Sequence, residues 1–287
     1  MNTLSMERRA TILKALVEGN SIRSAVRMTG ASKATILKLI VEVGEFCSTF
    51  QHHMLTDLPC RRIEADEIWT FVGAKQKNAT KAGQGDCWTF TAICADTKLM
   101  LSWLVGDRSA ESAHAFMDDV ASRLRRRVQI TTDGHSMYLT AVENAFGYNG
   151  ADFAQLVKTY GATIETGPGR KYSPMECTGA EKRPIFGNPN MDRISTSYVE
   201  RANLSMRMGM RRFTRLTNGF SKKADNHAHA VSLNFFFYNF CRPHQTLTKA
   251  AGGLKTTPAM AAEVTDRVWT IENFLARMDP KFLLQSN

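Results

Sequence analysis

Three acidic residues of this chain, Asp66, Asp133 and Glu200, lie in local patterns that would bring their carboxylates to one point. Asp66 is inside a strand-like run, Asp133 ends a second one, and Glu200 lies on a helix with an apolar stripe. Hard divalent cations such as Mg²⁺ prefer oxygen ligands, so carboxylates alone can hold them. Two such ions activate a water or hydroxyl, neutralise phosphoryl oxygens and stabilise a leaving oxygen. The pattern therefore indicates a two-metal site for phosphodiester chemistry, in which Mn²⁺ could replace Mg²⁺.

Each acid has an expected part in that site. Asp66 would bridge both ions, while Asp133 and Glu200 would each hold one. Without metal, three clustered carboxylates would repel one another and their pKa values would rise. His135, two residues after Asp133, is a further candidate that could order a water or touch a phosphate, although a histidine after a DG turn is commonly only exposed.

Other acids compete for the same three positions. Glu67 points to the opposite strand face from Asp66, because side chains alternate along a strand. Glu64 shares the face of Asp66 but lies nearer the start of the strand, so Asp66 is preferred. The rivals for the second and third positions are Asp119 and Asp192.

The central elements would place these acids together. Strand patterns cover residues 62–72, 87–96 and 99–105, a helix pattern covers 109–126, and a short strand covers 128–132. This order is that of a ribonuclease H-like core, an α/β fold with a mixed sheet flanked by helices. In that fold the first and fourth strands lie side by side, so an acid in one meets an acid at the tip of the other.

The next segment is less regular. Residues 137–160 have a helical pattern with a glycine-containing break, and 162–165 could form a short final strand. Residues 167–190 contain four of the eight prolines, which predicts an irregular loop.

A further helix is predicted over residues 196–213. Its buried stripe would consist of apolar residues spaced by three or four, and Glu200 lies on the flank of that stripe. Arg207 and Arg211 follow on a similar side. A helix that packs this stripe on the sheet would point Glu200 at the aspartates and the two arginines at phosphates beyond them.

The first 50 residues carry the pattern of three short helices. The string SIRSAVRMTGASKATILKLI resembles helix-turn-helix segments, in which a small residue, here Ala25, lets two helices cross and Gly30 relieves the turn. The third helix would enter the major groove of DNA, with Lys33 and Thr35 near base edges and Lys38 near phosphate. A plain three-helix bundle with charged outer faces is the alternative.

Composition favours a polyanionic partner. Lys and Arg outnumber Asp and Glu by 37 to 27, which gives a net charge of +10. The arginines at the end of the central helix are either a helix-end cluster or a DNA contact; they are Arg123, Arg125, Arg126 and Arg127. The six cysteines have no zinc-ligand spacing, and the longest apolar run is too short to span a bilayer. A soluble, cytoplasmic protein with reduced thiols is expected.

The domain organisation expected from these patterns has four parts. An all-α helix-turn-helix domain (1–50) would be followed by a linker (51–60), which loses helical periodicity and ends near a proline. The ribonuclease H-like catalytic domain would occupy 61–245. A C-terminal helical tail (246–287) would dock its apolar faces on the core or on another subunit.

Three motifs resemble the DDE transposases of the insertion-sequence-one family: ADEIWTFVG around Asp66, TTDGH around Asp133 and YVERANLSMRMGMRRFTRLTNGFSKK around Glu200. The resemblance covers roughly residues 60 to 245. It implies magnesium-dependent cutting at the ends of an insertion sequence, to free 3′ hydroxyls, and joining of those ends to target DNA. It also implies that Asp66, Asp133 and Glu200 are the catalytic and metal-binding acids. Asn203, Arg207 and Arg211, on the same predicted helix as Glu200, would be supporting residues that contact DNA.

The resemblance further implies double-stranded DNA as partner, at the element ends and at the target, and a homodimer or higher oligomer that holds two ends together on the bacterial nucleoid. Two other readings remain open. The chain could be a non-catalytic DNA-binding regulator or a domesticated transposase derivative that uses only its N-terminal helices. It could also be a nuclease or resolvase of the same fold, which would hydrolyse DNA without joining it.

Overall fold

A computed structural model of the chain describes residues 4–161, 177–214 and 217–278. Its centre is a six-stranded mixed sheet with the strand order β3-β2-β1-β4-β5-β6. β1 pairs with β4, and β4 with β5, in parallel, whereas the β1–β2, β2–β3 and β5–β6 pairs are antiparallel. The strands are β1 (Arg62–Val72), β2 (Gly85–Cys94), β3 (Met100–Gly106), β4 (Val128–Asp133), β5 (Ala151–Tyr160) and β6 (Cys177–Phe186).

The described ranges contain ten α-helices. They are α1 (Met6–Val17), α2 (Ile22–Thr29), α3 (Lys33–Met54), α4 (Ala110–Ser122), α5 (Met137–Gly150), α6 (Ser197–Gly209), α7 (Ala224–Phe236), α8 (Gln245–Ala250), α9 (Pro258–Ala261) and α10 (Ile271–Arg277). A π-helical turn, Phe237–Cys241, extends α7. Within the residues described, none of these helices is both long enough and apolar enough to cross a membrane.

The order of the first elements agrees with the prediction. Three antiparallel strands are followed by α4, and β4 then returns beside β1. A parallel neighbour requires a crossover connection, which β2, β3 and α4 together provide. The protein is thus a mixed α/β protein whose sheet is compatible with a ribonuclease H-like core.

Each face of the sheet packs against a different helix pair. On one face, Phe90 of β2 contacts Phe116 of α4 and Tyr138 of α5, with ring centroids 5.5 and 6.4 Å apart. On the other face, Ile68 of β1 is buried in a cluster with apolar residues of α6 and α7. Alternation along the strands therefore sends neighbouring residues into two different environments.

The N-terminal helices begin and end at the predicted signals. Ser21 and Ser32 cap α2 and α3, each accepting a hydrogen bond from the backbone N–H three residues later. Gly30 ends α2 in the left-handed conformation, with φ of 67°. Ala25, predicted to lie where two helices cross, is fully buried. A helix-turn-helix identity for this segment stays a prediction.

The segment predicted as a linker, 51–60, is instead packed. α3 continues to Met54, and Leu55, Leu58 and Cys60 are buried. Leu58 forms a β-bridge with Leu124. Its backbone N–H donates to the Arg123 carbonyl, and its carbonyl accepts from the Arg125 N–H. The buried residues Gln51, Leu55 and Leu58 are three or four positions apart, so the segment keeps one side on the core.

The C-terminal helices complete the same core as α3. Phe50 of α3 packs against Phe236, Phe240, Trp269 and Phe274, with ring centroids 5.3 to 5.9 Å apart. We call these five residues the aromatic core. The predicted tail thus contributes two of its members, and α10 also contacts α1.

The predictions for residues 137–213 are partly wrong. The helix α5 ends at Gly150, after a break at Gly147 (φ 59°), and residues 151–160 form a strand rather than a second helical stretch. The predicted loop 167–190 contains β6, whose Pro184 lies on the outer strand of the sheet, where a missing N–H is tolerated. The strand predicted over 162–165 lies outside the described residues. The helix predicted to reach residue 213 ends at Gly209.

Candidate acidic site where β4 ends beside β1

Three carboxylates meet where β4 ends beside β1. Each of Asp66, Glu67 and Asp133 offers a carboxylate oxygen, and these oxygens all lie within 4.8 Å of one another. The last residue pair between the two strands is Ala65 with Thr132, so Asp66 and Asp133 occupy the next positions. Asp66 and Asp133 are thus brought together, as the adjacency of the first and fourth strands predicts.

Glu67 joins this group although strand alternation had excluded it. Its side chain does start from the opposite face to Asp66, the face covered by α5. Because β4 ends at Asp133, however, the edge of β1 is open at this level. Carboxylates from both faces can therefore turn toward the tip of β4. Strand alternation correctly places Glu67 on the opposite face from Asp66, but it does not keep the two carboxylates apart.

Asp66 is held by neutral partners. The Asn203 side chain, on α6, donates from Nδ2 to Asp66 Oδ2 over 2.9 Å, and Thr91 donates to Asn203 Oδ1 over 3.1 Å. Asn203 is only 6% exposed. It had been predicted as a DNA contact, but its buried side chain orients Asp66 instead.

The environment favours the protonated form of two of these acids. Burial, together with the nearby carboxylates of Glu67 and Asp133, raises the pKa of Asp66 to about 7. Burial and Glu67 also raise the pKa of Asp133, against the effect of the His135 backbone N–H that it accepts. The site therefore carries carboxylates that are costly to ionise together without a cation.

Glu67 has partners of a different kind. Arg108, just after β3, donates to Glu67 Oε1 through Nε (2.8 Å) and Nη2, and the Tyr138 hydroxyl donates to Glu67 Oε2 over 2.9 Å. The Glu67 side chain is 2% exposed. Arg108 also lies over the ring of Trp88, 4.5 Å from its centroid. Glu67 is thus a buried acid whose charge is already balanced within the chain.

Asp133 is fixed by the turn that follows β4. The backbone N–H of His135 donates to Asp133 Oδ1 over 3.1 Å, and Gln155 of β5 holds the His135 carbonyl at 3.0 Å. The His135 ring accepts from the Met137 N–H at 3.4 Å. His135 therefore positions Asp133 through its backbone, while its half-exposed ring stays a candidate for contact with a substrate.

Glu200 does not belong to the acidic group in this structure. It lies three residues before Asn203 on α6, so the two side chains are neighbours on the same helix. Its carboxylate forms an ion pair with Lys158 of β5 and accepts from Thr196 over 2.5 Å, and its side chain is 43% exposed. The predicted convergence of Glu200 with the two aspartates is therefore not seen, although Glu200 lies on the helix that contacts Asp66.

Glu64 has a structural task. Its buried carboxylate accepts from the backbone N–H groups of Tyr198 (2.7 Å) and Val199 (3.1 Å), at the start of α6. A carboxylate at this point satisfies free N–H groups and suits the helix dipole. Glu64 therefore anchors α6 on β1, which places Asn203 and Glu200 beside the site.

The residues predicted to contact DNA occupy different settings. Lys33 and Lys38 are exposed near the start of α3, whereas the Thr35 hydroxyl is engaged with that of Ser32 at 2.9 Å. Arg207 is half-buried on the last turn of α6, and Arg211 is exposed in the turn after that helix. Helix α6 ends before Arg211, so the two arginines do not share one helical face.

Three of the four arginines at the end of α4 form ion pairs, which supports a structural role for these three. Arg123 pairs with Asp119, and its Nη1 donates to the Leu55 carbonyl. Arg125 pairs with Asp57, and Arg127 with Asp152.

The donor set fits a hard divalent cation. The group contains only carboxylates, which are the ligands preferred by Mg²⁺ and Mn²⁺, and contains no thiol or imidazole. A cation would also relieve the repulsion that raises the pKa of Asp66. Among the described residues 4–161, 177–214 and 217–278, this is the one group of three or more potential ligands of this kind.

Sequence reasoning missed Arg108, Tyr138 and Lys158, which hold two of the acids. The signal for Tyr138 was its position five residues after Asp133, on the helix that must cover the sheet at that level. Arg108 and Lys158 gave no local signal, because their contacts depend on strand register.

In comparisons with known proteins, no protein-family model and no curated protein matched this chain. The interpretation of the site therefore depends on its residues.

Proposed function

We propose that the protein is a metal-dependent DNA transposase, which cleaves phosphodiester bonds at the ends of an insertion sequence and joins the 3′ ends to target DNA. One observation carries this proposal: Asp66, inside β1, meets Asp133, at the end of the adjacent parallel strand β4, beside a helix that contacts Asp66 through Asn203. The net charge of +10 supports a nucleic-acid partner.

Asp66 and Asp133 would hold the cation, with Glu67 or Glu200 as further ligand. Two bound Mg²⁺ or Mn²⁺ ions would supply charge stabilisation for the phosphoryl group and activation of the attacking oxygen. Asn203 keeps one oxygen of Asp66 in a fixed direction, and the His135 N–H does the same for Asp133. These contacts limit the reorganisation that the site needs when a cation and a phosphate arrive.

Glu67 and Glu200 differ in what they must give up to bind a cation. Glu67 would have to leave Arg108 and Tyr138 in a buried setting. Glu200 would have to leave Lys158 and Thr196 in a partly exposed one, where an ion pair contributes little. We therefore retain Glu200 as the third catalytic acid and assign Glu67 to positioning.

The N-terminal helices would recognise the DNA ends. Lys33 and Lys38 are exposed at the start of α3, which suits contacts to a groove and to phosphate. Arg207 and Arg211, beyond the acidic site, would contact phosphates of the same DNA. Two such complexes must assemble to join two ends, which implies a homodimer or a higher oligomer.

The test is cleavage of duplex DNA taken from both flanks of the gene, with Mg²⁺ or Mn²⁺ and the full chain. Asp66→Asn and Asp133→Asn should abolish both nicking and strand joining. Asp192→Asn is the matched control, because Asp192 is exposed and lies outside the acidic group. Its activity should equal that of the wild type.

The products distinguish the alternatives. Joined strands support a transposase, whereas cut but unjoined strands indicate a nuclease or resolvase. Sequence-specific binding without any metal-dependent cut, equal in wild type and Asp66→Asn, would indicate a DNA-binding regulator and overturn the catalytic proposal.

A further inference from the structure

Four aromatic side chains lie beyond the acidic group on the Glu67 side of the sheet. Trp69 and Phe71 follow Glu67 at alternate positions of β1, and Trp88 of β2 is the cross-strand partner of Trp69. Phe220, beside the end of β1, packs on Phe71 with ring centroids 4.9 Å apart. All four are only half-buried. We call them the aromatic shelf.

The helices on this face cover the sheet only up to the level of Glu67. Phe90, the cross-strand partner of Glu67, is fully buried against Phe116 and Tyr138. Trp69 and Trp88, one step further along the same face, stay partly accessible. A contiguous group of accessible aromatic rings is unusual on a protein surface and marks a binding surface.

Cations outnumber acids around the shelf, although the exposed Asp86 is the cross-strand partner of Phe71. Arg108 lies over the ring of Trp88 at 4.5 Å. The loop between β1 and β2 exposes three lysines, and two more lie two and three residues after Phe220; they are Lys75, Lys77, Lys81, Lys222 and Lys223. Aromatic rings framed by cations match a ligand with flat ring faces and a polyanionic backbone, which is the chemistry of a nucleic-acid strand.

We propose that the aromatic shelf stacks unpaired bases of the DNA strand whose phosphate lies at the acidic group. This inference rests on the proposed function and adds the form of the substrate. Trp69 lies about 7 Å from Glu67 along the strand, since same-face residues are two steps of about 3.3 Å apart. Bases within a duplex have both faces covered by stacking, so the shelf would be reached by bases that are unpaired near the cut.

The test measures binding in EDTA, where metal-dependent cleavage is absent. Two duplexes that share one strand are compared. One is fully paired, and the other has two mismatched base pairs. A 2-aminopurine at a mismatched position reports stacking by its loss of fluorescence. The wild type should bind the mismatched duplex about tenfold more tightly and quench its fluorescence. Trp69→Leu and Phe71→Leu keep an apolar side chain without a ring, and should remove both the preference and the quenching.

Two further variants separate stacking from folding. Trp69→Phe should retain the preference, because it keeps a ring. Tyr148→Leu is the control, since Tyr148 is 63% exposed at the far end of α5 and lies outside the shelf. Its binding should equal that of the wild type, and melting temperatures establish that each variant is folded.

Equal affinity of the wild type for both duplexes would overturn the inference, as would a preference that survives in Trp69→Leu. If the leucine variants instead lower the oligomeric state by light scattering and leave the base preference unchanged, the shelf is a contact between copies of the chain. A preference for the mismatched duplex without any Mg²⁺-dependent cleavage would support the aromatic shelf as a base-binding surface and reject the catalytic proposal. Normal Mg²⁺-dependent cleavage without a preference for the mismatched duplex would reject base stacking on the aromatic shelf and leave the catalytic proposal intact.

Discussion

Asp66 and Glu67 are neighbours in the chain, yet the two faces of the sheet treat their carboxylates differently. On the α6 face, Asp66 is bound by the neutral amide of Asn203, and burial raises its pKa to about 7. On the α5 face, Glu67 is bound by the Arg108 guanidinium and the Tyr138 hydroxyl. One acid thus lacks a cation within its own chain, and the other has one.

This difference separates two uses of a buried carboxylate. An acid with an internal cation is part of the folded framework, and removing its partner leaves an uncompensated charge. An acid surrounded by neutral groups and other carboxylates is costly to ionise until an external cation arrives. The α6 face is therefore the side on which we expect function to be lost first, and the α5 face the side on which stability is lost first.

The largest expected effect is on the cleavage rate, when Glu200 and Glu67 are replaced in turn. Glu200→Gln should lower the rate of Mg²⁺-dependent cleavage by about 10³-fold, because it removes a ligand that contributes several kcal/mol at the transition state. Glu67→Gln should lower it far less. Single-turnover nicking rates measure both. The reverse order of effects would make Glu67 the third ligand and erase the distinction between the faces.

The next effect concerns stability. Arg108→Ala should lower the free energy of unfolding by about 2 kcal/mol, because the 2% exposed Glu67 side chain loses its cation; the 37% exposure of Arg108 keeps the loss below that of a fully buried pair. Urea unfolding measures this change. Adding Glu67→Gln to the variant should restore part of the loss. Arg183→Ala, which breaks an exposed pair with Glu181, is the control and should leave stability nearly unchanged, because solvent screens exposed ion pairs.

A third effect is the pH dependence of the metal-free protein. The carboxyl of Asp66 has a pKa near 3.8 in the unfolded chain and about 7 in the folded protein, so only the folded state holds this proton between those values. Unfolding then releases a proton, and the free energy of unfolding must fall as pH rises through that window. Asp133, whose pKa is also raised, acts in the same direction.

Urea unfolding between about pH 5 and 7 in EDTA tests this prediction. The wild type should lose up to about 1.4 kcal/mol per pH unit through Asp66, and Asp66→Asn should lose correspondingly less. If the free energy of unfolding changed equally with pH in the two proteins, the pKa of Asp66 would not be raised in the folded state. The α6 face would then offer no special advantage to a cation.

The smallest effect is the loss of one hydroxyl. Tyr138→Phe removes the hydrogen bond to Glu67 and should cost about 1 to 2 kcal/mol, with little change in Mg²⁺ affinity. Thermal unfolding and metal titration together measure it. A large loss of metal affinity would mean that the α5 face shares directly in cation binding.

Much of the framework follows from local sequence patterns. The β1–β2–β3 meander, α4, β4 and the serine caps of α2 and α3 all rest on alternation, periodicity or turn residues close in sequence. The meeting of Asp66 with Asp133 needed one further step, the adjacency of the first and fourth strands. That step is an inference from the ribonuclease H-like fold, which the order of elements suggests.

The remaining features depend on tertiary context. The strand β5 and its outer neighbour β6 are stabilised by pairing between segments distant in sequence, which local propensity does not register. The inclusion of Glu67 depends on where β4 ends, and the pairing of Glu200 with Lys158 depends on the register of β5. Short-range patterns therefore identify which residues carry chemistry better than they identify which of them meet.

The continuity of α3 limits the geometry of the proposed DNA complex. This helix has 22 residues, about 33 Å, and runs without a break from exposed Lys33 and Lys38 to Phe50 in the aromatic core. If the start of α3 recognises DNA and the acidic group cuts it, as we propose, the rigid connection between them fixes the number of base pairs between the recognised sequence and the cut bond. Inserting about five base pairs between them, half a helical turn, would turn the scissile bond to the far side of the duplex.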